Sequence, residues 1–181
     1  MSNLKKIILA IVVLVILVAG YLLYNTFINP LSPKDTVTLN DGDLTLEVVY
    51  SRPFKKDRLI FGTAEEKALV PYGEYWRLGA NASTTFSTTK PLDFAGQQVD
   101  AGIYRMYAIP DAEHWTIVLN EAFNSFGYSE PDYTKDVLRV KIPSANLLTP
   151  IEQFTINFVQ DSLSLSLKMQ WDTTSVSLPL N

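Results

Sequence analysis

The sequence of 181 residues contains no cysteine and a single histidine, and each of these absences excludes a kind of chemistry. Without cysteine the chain has no disulfide, no thiolate metal ligand and no thiol nucleophile. Zinc sites rarely form without several His or Cys ligands, and His114 has no second histidine to pair with. The sequence therefore predicts neither a metal site nor a cofactor, and it predicts a core held together by packing alone.

Clustered positive charge is also missing. The formal net charge is −4, and Lys5 and Lys6 are the only charged residues among the first thirty, so the remainder carries −6. Proteins that bind nucleic acids neutralise phosphates with clustered Lys and Arg. The charge pattern therefore argues against a nucleic-acid partner.

Two motifs that would indicate a catalytic or calcium site are absent. No Gly-x-Ser-x-Gly elbow is present, and Ser125 within residues 123–127 does not replace it. Asp41 and Asp43 flank Gly42 but lack the remaining ligands of an EF-hand, so a hairpin turn explains them. No catalytic residue is assigned on this basis.

A long apolar segment is present near the N-terminus. Residues 4–23 are apolar apart from Lys5, Lys6 and Tyr21. About twenty helical residues at about 1.5 Å each span a hydrocarbon core of about 30 Å. A signal peptide is the alternative, but its apolar region is usually about 7–15 residues long. Residues 1–28 are therefore predicted to form a transmembrane anchor, and whether this segment is cleaved stays open.

The two lysines also predict an orientation. Lys5 and Lys6 precede the apolar segment, and positive charges mark the cytoplasmic end of a membrane helix. This predicts a single-pass protein of the inner membrane whose C-terminal domain lies in the periplasm. Residues 29–35 contain two prolines and are predicted to be an extended linker. Residues 36–181 are predicted to form one domain.

The domain is predicted to be mainly β, because short alternating segments are separated by frequent turns. The clearest alternation lies in residues 44–50, 154–158 and 163–171. Many short strands and few helices favour a single β-sandwich of the jelly-roll-like kind. Brief helical turns are expected at residues 74–78 and 143–147.

Residues 71–86 depart most from simple patterning, because aromatic residues, glycines, one arginine and one asparagine crowd together. Arg77 and Asn81 are close in sequence, and Arg52 lies at a strand end that can reach the same loop. An arginine fork with an amide can hold a carboxylate or a sugar hydroxyl. The alternative is an internal polar network that bonds to loop carbonyls. The candidate ligand-binding residues are Arg52, Arg77, Asn81, Trp76 and Tyr72.

Residues 120–135 form a long aromatic loop, and such loops in compact domains are often functional. Three acids lie in or beside it, namely Glu121, Asp132 and Asp136. A pair of carboxylates can cleave glycosides, whereas solvated loop acids are the commoner case. Aromatic residues of the two segments are a candidate sugar-stacking platform, with core packing as the alternative. They are Trp76, Tyr72, Tyr75, Phe126, Tyr128 and Tyr133.

A series of short motifs runs through the domain. In chain order they are Ser51-Arg52-Pro53, Ile60-Phe61-Gly62, Val70-Pro71-Tyr72-Gly73, Trp76-Arg77-Leu78-Gly79-Ala80-Asn81, Ala101-Gly102-Ile103-Tyr104, Trp115-Thr116-Ile117-Val118, Asp136-Val137-Leu138-Arg139-Val140 and Phe154-Thr155-Ile156. This series resembles the DUF2911 family, exported or envelope proteins of Bacteroidota. The resemblance spans roughly residues 44 to 178. It implies an exported β domain and assigns no catalytic residue.

These observations favour a non-enzymatic binding or scaffolding module of the cell envelope, with an envelope protein or glycan as its partner. Two alternatives stay open. One is an envelope polysaccharide hydrolase that uses the loop carboxylates. The other is an accessory subunit of an inner-membrane complex, in which residues 7–23 pack against other membrane helices.

Overall fold

The structure is a computed structural model that describes residues 3–24, 30–124, 127–161 and 164–181. The chain divides into two compact units, Met1–Pro33 and Lys34–Asn181. The predictions that concern Ser125, Phe126 and the first residue of the strand expected at 163–171 lie outside the described residues.

The described part of the N-terminal unit contains one helix, α1, from Asn3 to Leu23. At about 1.5 Å per residue its 21 residues are about 32 Å long. Beyond Lys6 its sequence is apolar on all sides, and none of its residues is buried. The helix is therefore long and apolar enough to cross a membrane, a property that membrane anchors and signal sequences share.

The described part of the C-terminal unit is built from strands, with one 3-10 turn at Tyr133–Lys135. The strands are β1 (Lys34–Asp41), β2 (Leu44–Ser51), β3 (Phe61–Gly62), β4 (Val70–Pro71), β5 (Thr84–Thr88), β6 (Leu92–Phe94), β7 (Gln97–Val99), β8 (Gly102–Pro110), β9 (His114–Asn120), β10 (Asp136–Gln160) and β11 (Leu165–Leu180). The prediction of a mainly β chain with one N-terminal helix is confirmed.

Nine of these strands form one antiparallel sheet in the order β1-β2-β5-β8-β9-β10-β11-β6-β7, and β3 and β4 form a short parallel pair. Neighbours in the sheet follow chain order with two interruptions: the β3–β4 pair lies between β2 and β5 in sequence, and the β6–β7 hairpin follows β5 in sequence but lies beyond β11. The connections are therefore those of a meander with one inserted hairpin, whereas the jelly roll expected from the sequence is built from two Greek keys.

The 25-residue strand β10 joins two halves of this sheet. One half contains β1, β2, β5, β8 and β9, and the other contains β11, β6 and β7. The first part of β10, from Asp136 to Pro143, pairs with β9, and its second part pairs with β11. The helical turn expected at residues 143–147 was therefore wrong. Pro143 is paired with His114 and Ser144 with Val176, and pairing on both sides outweighs the local preference of these residues for a helix start.

The two halves of the sheet face each other across the core. The Tyr50 hydroxyl on β2 donates to the carbonyl of Ile156 on β10 (3.3 Å) and accepts from its amide (2.9 Å). Phe86 on β5 meets Phe94 on β6 with ring centroids 5.3 Å apart. These contacts join opposite halves, so the sheet folds over itself and encloses one hydrophobic core.

An aromatic cluster fills one part of this core. The Trp76 ring lies parallel to that of Trp171 at 5.9 Å and edge-on to Trp115 at 5.3 Å and Phe154 at 4.9 Å. Phe61 contacts all three tryptophans. Edge-on and stacked arrangements are favourable for aromatic pairs, so the cluster adds stability beyond its buried area.

The helical turn expected at residues 74–78 was also wrong, because Trp76 forms an isolated β-bridge with Ala108 on β8. The Trp76 amide donates to the Ala108 carbonyl (2.8 Å), and the Ala108 amide donates back (2.9 Å). Two backbone hydrogen bonds to a sheet strand replace those that a helical turn would make within itself.

Candidate functional site

Polar and aromatic side chains are buried on the outer face of the sheet. Alternation along β8 directs Tyr104, Met106 and Ala108 into the core and Arg105 and Tyr107 to the opposite face. Yet Arg105 is 2% and Tyr107 0% exposed. Residues on a sheet's outer face are buried only when other segments cover them, and here Tyr75 and the described residues of the loop 121–135, through Ser129 and Tyr133, make those contacts.

Hydrogen bonds attach this covering loop to the sheet. Arg105 donates through one terminal nitrogen to the Ser129 carbonyl (2.7 Å) and to the Tyr75 hydroxyl. Asn120, at the end of β9, donates to the Asp132 carbonyl (2.9 Å). The guanidinium of Arg105 also lies 5.3 Å from the Tyr75 ring centroid. Side chains of β8 and β9 thus hold the described part of the loop at Ser129 and Asp132.

Asp136 is the central acceptor of the network. Its carboxylate accepts from the Tyr107 hydroxyl (2.9 Å), from Asn120 (2.8 Å) and from Arg139 at 2.9 and 2.6 Å. Its side chain is 9% exposed, against 43% for Arg139. A carboxylate with this many donors has little hydrogen-bonding capacity left for a substrate.

The other two acids of the predicted hydrolase site are arranged differently. Asp132 accepts from the Thr134 hydroxyl (2.6 Å) and amide (3.1 Å), and these hydrogen bonds lower the pKa of the Asp132 carboxyl. Glu121 has an exposed side chain, and its amide donates to the Lys135 carbonyl. A glycosidase needs one carboxyl whose pKa is raised, which is opposite to the shift of Asp132.

Two tyrosines of the network have raised pKa values. For Tyr107, burial is the main cause and the hydrogen bond to Asp136 is the second. For Tyr133, burial and the hydrogen bond to Glu130 (2.9 Å) raise the pKa to about 12. Both hydroxyls therefore stay protonated and act as donors throughout the physiological range.

We expect the free energy of unfolding to fall as the pH rises above about 10. Besides Tyr107 and Tyr133, burial also raises the pKa of Tyr50, Tyr72 and Tyr104. Each of these groups binds its proton more tightly in the folded chain. Its contribution is therefore complete below the unfolded pKa of 10.0 and is lost as the pH rises through the folded pKa. For Tyr133 this window extends to about 12.

Urea unfolding at pH 8, 9.5 and 11, followed by far-UV circular dichroism, measures this loss. The Tyr107→Phe variant is the control, because it removes one titrating group and keeps the ring. Its stability should decline less between pH 9.5 and 11 than that of the wild type. Parallel curves for the two proteins would contradict the assignment for Tyr107.

Arg77 and Asn81 meet Tyr128 of the covering loop at one surface. The Arg77 guanidinium donates to the Asn81 carbonyl (3.4 Å) and lies 5.6 Å from the Tyr128 ring centroid. The Tyr75 hydroxyl donates to the Gly127 carbonyl (3.0 Å). A Cβ on Gly127 would lie 2.8 Å from the Asn81 carbonyl oxygen, so only glycine permits this approach. We call the patch formed by Arg77, Asn81 and Tyr128 the Tyr128 surface.

The backbone beneath the Tyr128 surface is strained. Leu78 has φ 53° and Asn81 has φ 59°, and a leucine in this left-handed region costs about 1–3 kcal/mol. Gly79 has φ 138°, and a Cβ there would lie 2.4 Å from the Ser51 carbonyl oxygen. The fully buried Leu78 side chain and the Thr84 hydroxyl, which donates to the Leu78 carbonyl (2.6 Å), hold this conformation. Such strain is concentrated at functional sites in proteins.

The structure brings together two of the five candidate ligand-binding residues, Arg77 and Asn81. Arg52 bonds elsewhere, to Asp35 (3.2 Å) and to β10 through the Phe154 carbonyl and the Thr155 hydroxyl. Trp76 lies in the core at 6% exposure, and Tyr72 is half-buried. The ligand-binding role of these residues stays a prediction.

Sequence reasoning overlooked Arg105, Tyr107, Asn120 and Arg139. The available signal was Arg105, a lone charge in the otherwise apolar strand Gly102–Pro110. A charge in such a strand predicts a covered polar partner. Within the described ranges no group of three His, Asp or Glu residues is arranged to hold a metal ion.

These features define a class of protein: a mainly β domain with a polar network beneath one loop, preceded by a helix long enough to cross a membrane. Residues 32–180 match the DUF2911 family, described as proteins of unknown function, and the chain belongs to that family. The resemblance seen in the sequence motifs is thereby confirmed. Neither the curated proteins nor the solved structures give a significant match.

Proposed function

We propose that this chain is a non-enzymatic binding module of the cell envelope. In this proposal α1 holds the protein in the inner membrane, and residues 36–181 lie in the periplasm, where the domain binds an envelope partner. The binding role is supported by the difference between the buried polar network and the exposed Tyr128 surface. The loop acid Asp136 is engaged within the protein, whereas Tyr128 is 77% exposed beside Arg77.

The tether is supported by the character of α1. A helix with no buried residue and no polar face would expose apolar area to water along its whole length, which is unfavourable by about 25 cal/mol per Å². Lipid removes that cost. Lys5 and Lys6 at the start of the helix favour a cytoplasmic N-terminus, and Tyr21 and Tyr24 near its other end suit the membrane interface.

The non-enzymatic part is supported by the state of the acids. A retaining or inverting glycosidase needs one carboxyl to donate a proton and a second to act as nucleophile or base. Asp136 is saturated by donors, and Asp132 is occupied by Thr134. Of the three proposed residues Glu121 and Asp132 are exposed, but hydrogen bonds from Thr134 lower the pKa of the Asp132 carboxyl, whereas a general acid needs a raised one.

Cell fractionation tests the tether. We expect the full chain to stay in the membrane fraction after an alkaline carbonate wash and to be released by mild detergent, with the intact mass of 20.3 kDa. Protease added to spheroplasts should digest the domain, because it lies outside the inner membrane. A soluble product that lacks the first two dozen residues would instead show a cleaved signal.

The same detergent extract addresses the second candidate function, an accessory subunit of an inner-membrane complex. That candidate is favoured by the exposure of α1 on all sides, which leaves its surface open to packing against other helices. The accessory-subunit hypothesis would be supported if the protein is purified in detergent together with other membrane proteins. These proteins should then be lost when α1 is replaced by an unrelated single-span helix. Retention of the same partners after the exchange would support a simple tether.

A further inference from the structure

The exposed aromatic side chains of the domain are concentrated on one loop. Among the described residues of Lys34–Asn181 they are Phe123 at 42%, Tyr128 at 77% and Tyr133 at 42% exposure, all within residues 121–135. The other exposed large hydrophobic side chains among the described residues of this unit are aliphatic and lie on several different elements. Single exposed apolar residues are ordinary, but a group of exposed rings on one loop indicates a binding surface.

The Tyr128 ring is presented on a backbone that the sheet holds in place. Its neighbour on one side, Gly127, accepts from the Tyr75 hydroxyl (3.0 Å), and its neighbour on the other side, Ser129, accepts from Arg105 (2.7 Å). Arg105 is buried in the network on β8. Because the attachment points on both sides of Tyr128 are fixed, little conformational entropy would be lost when a ligand packs on its ring.

Tyr133 is fixed in a similar way. Its hydroxyl donates to Glu130 (2.9 Å), its ring packs 6.2 Å from that of Tyr107, and the Arg139 guanidinium lies 5.6 Å from its centroid. Each of the two exposed tyrosines is therefore accompanied by an arginine. In each case the guanidinium lies over one face of the ring, and in Tyr128, which is 77% exposed, the other face is the one available for stacking.

The charge of this region indicates which class of ligand it can attract. Residues 121–139, with the two arginines that contact the loop, carry four acids and four cations. The acids are Glu121, Glu130, Asp132 and Asp136, and the cations are Arg77, Arg105, Lys135 and Arg139. A balanced surface on a chain of net charge −4 does not attract a polyanion. A neutral ligand with one apolar face and a polar rim fits better.

A sugar ring has that character, because the C–H groups of one face are apolar and its hydroxyls both donate and accept hydrogen bonds. We propose that the Tyr128 surface binds a neutral oligosaccharide, with a sugar ring stacked on Tyr128 and its hydroxyls bonded to Arg77 and Asn81. Tyr133 provides a second stacking position along the same loop. This inference rests on the proposed binding function and specifies the ligand and its site.

The experiment uses the full chain in mild detergent and measures binding by isothermal titration. The probes are cello-, chito- and malto-oligosaccharides of about five units. Wild type should bind at least one of them, and Tyr128→Ala should weaken that binding by about tenfold, in the range expected for loss of one stacked ring. Tyr128→Trp should retain it. Ile103→Ala, which also truncates an exposed side chain on another element, should leave it unchanged.

Three results would overturn the inference: no binding of any neutral probe, equal binding by Tyr128→Ala, or an equal loss in Ile103→Ala. Because Tyr128 is largely exposed, its variants should keep the wild-type unfolding curve, which confirms that they fold. If the protein binds only polygalacturonate oligomers or only phosphatidylethanolamine vesicles, the neutral oligosaccharide is refuted as the ligand. The proposed function as a binding module is then kept. New reducing ends released from a bound probe would refute the non-enzymatic role and retain the site.

Discussion

Truncation of Trp76 to alanine should lower the free energy of unfolding by about 3–5 kcal/mol, the usual cost of removing a buried tryptophan ring. Trp76 contacts Trp115, Trp171 and Phe154, and it is 6% exposed. Its removal would leave a cavity bordered by these rigid rings, which have little freedom to collapse into it. The indole also donates to the Gly79 carbonyl (3.3 Å), so the strained loop loses a support.

Denaturant unfolding of the full chain in detergent, followed by far-UV circular dichroism, measures this effect. Trp76→Phe is the matched control, because it keeps an aromatic ring in the cluster and should cost clearly less than the alanine variant. A change below about 1 kcal/mol for Trp76→Ala would mean that the ring contributes little to the core. The ligand-binding role predicted for Trp76 would then regain support.

Replacement of Asp136 by alanine should lower the free energy of unfolding by about 3 kcal/mol, because it leaves buried donors without their acceptor. The Tyr107 hydroxyl and the Asn120 amide both donate to this carboxylate, and both residues are 0% exposed. The loss of Arg139 as a partner adds less, because Arg139 is 43% exposed and solvent weakens the ion pair.

Two further measurements separate this structural role from catalysis. The pKa of Tyr107 should fall in Asp136→Ala, because the hydrogen bond to Asp136 raises it in the wild type. Asp132→Ala is the matched control, since Asp132 lies in the same loop and accepts from Thr134 at the surface, and it should destabilise the domain much less. Unchanged stability of Asp136→Ala, together with loss of sugar release from an envelope polysaccharide, would favour the hydrolase.

Local periodicity explains why much of the fold was predictable. The alternation in residues 44–50 predicted β2, and Leu46, Val48 and Tyr50 are indeed buried together. The apolar run predicted α1 in the same way. Both signals are contained in a few consecutive residues, because side-chain direction repeats every two residues in a strand and every 3.6 in a helix.

The candidate site was only partly predictable, because its contacts join distant parts of the chain. Arg77 and Asn81 are four positions apart, and their contact follows from the loop that contains both. The contact between Tyr75 and Gly127 crosses 52 positions and requires a loop to lie over the outer face of the sheet. Residue type and spacing contain no direct signal for such a contact.

The continuity of β10 likewise depends on contacts with distant parts of the chain that local sequence does not predict. Pro143 and Ser144 favour a break locally, yet they are paired with β9 and β11 respectively. The sequence alone determined that this chain has an apolar N-terminal helix and a domain of alternating strands, because those properties depend on neighbouring residues. The tertiary structure alone decided that Arg52 bonds to β10, that Trp76 is core and that Tyr128 faces solvent beside Arg77. Strand order and loop placement set those distances, and both result from packing of the whole domain.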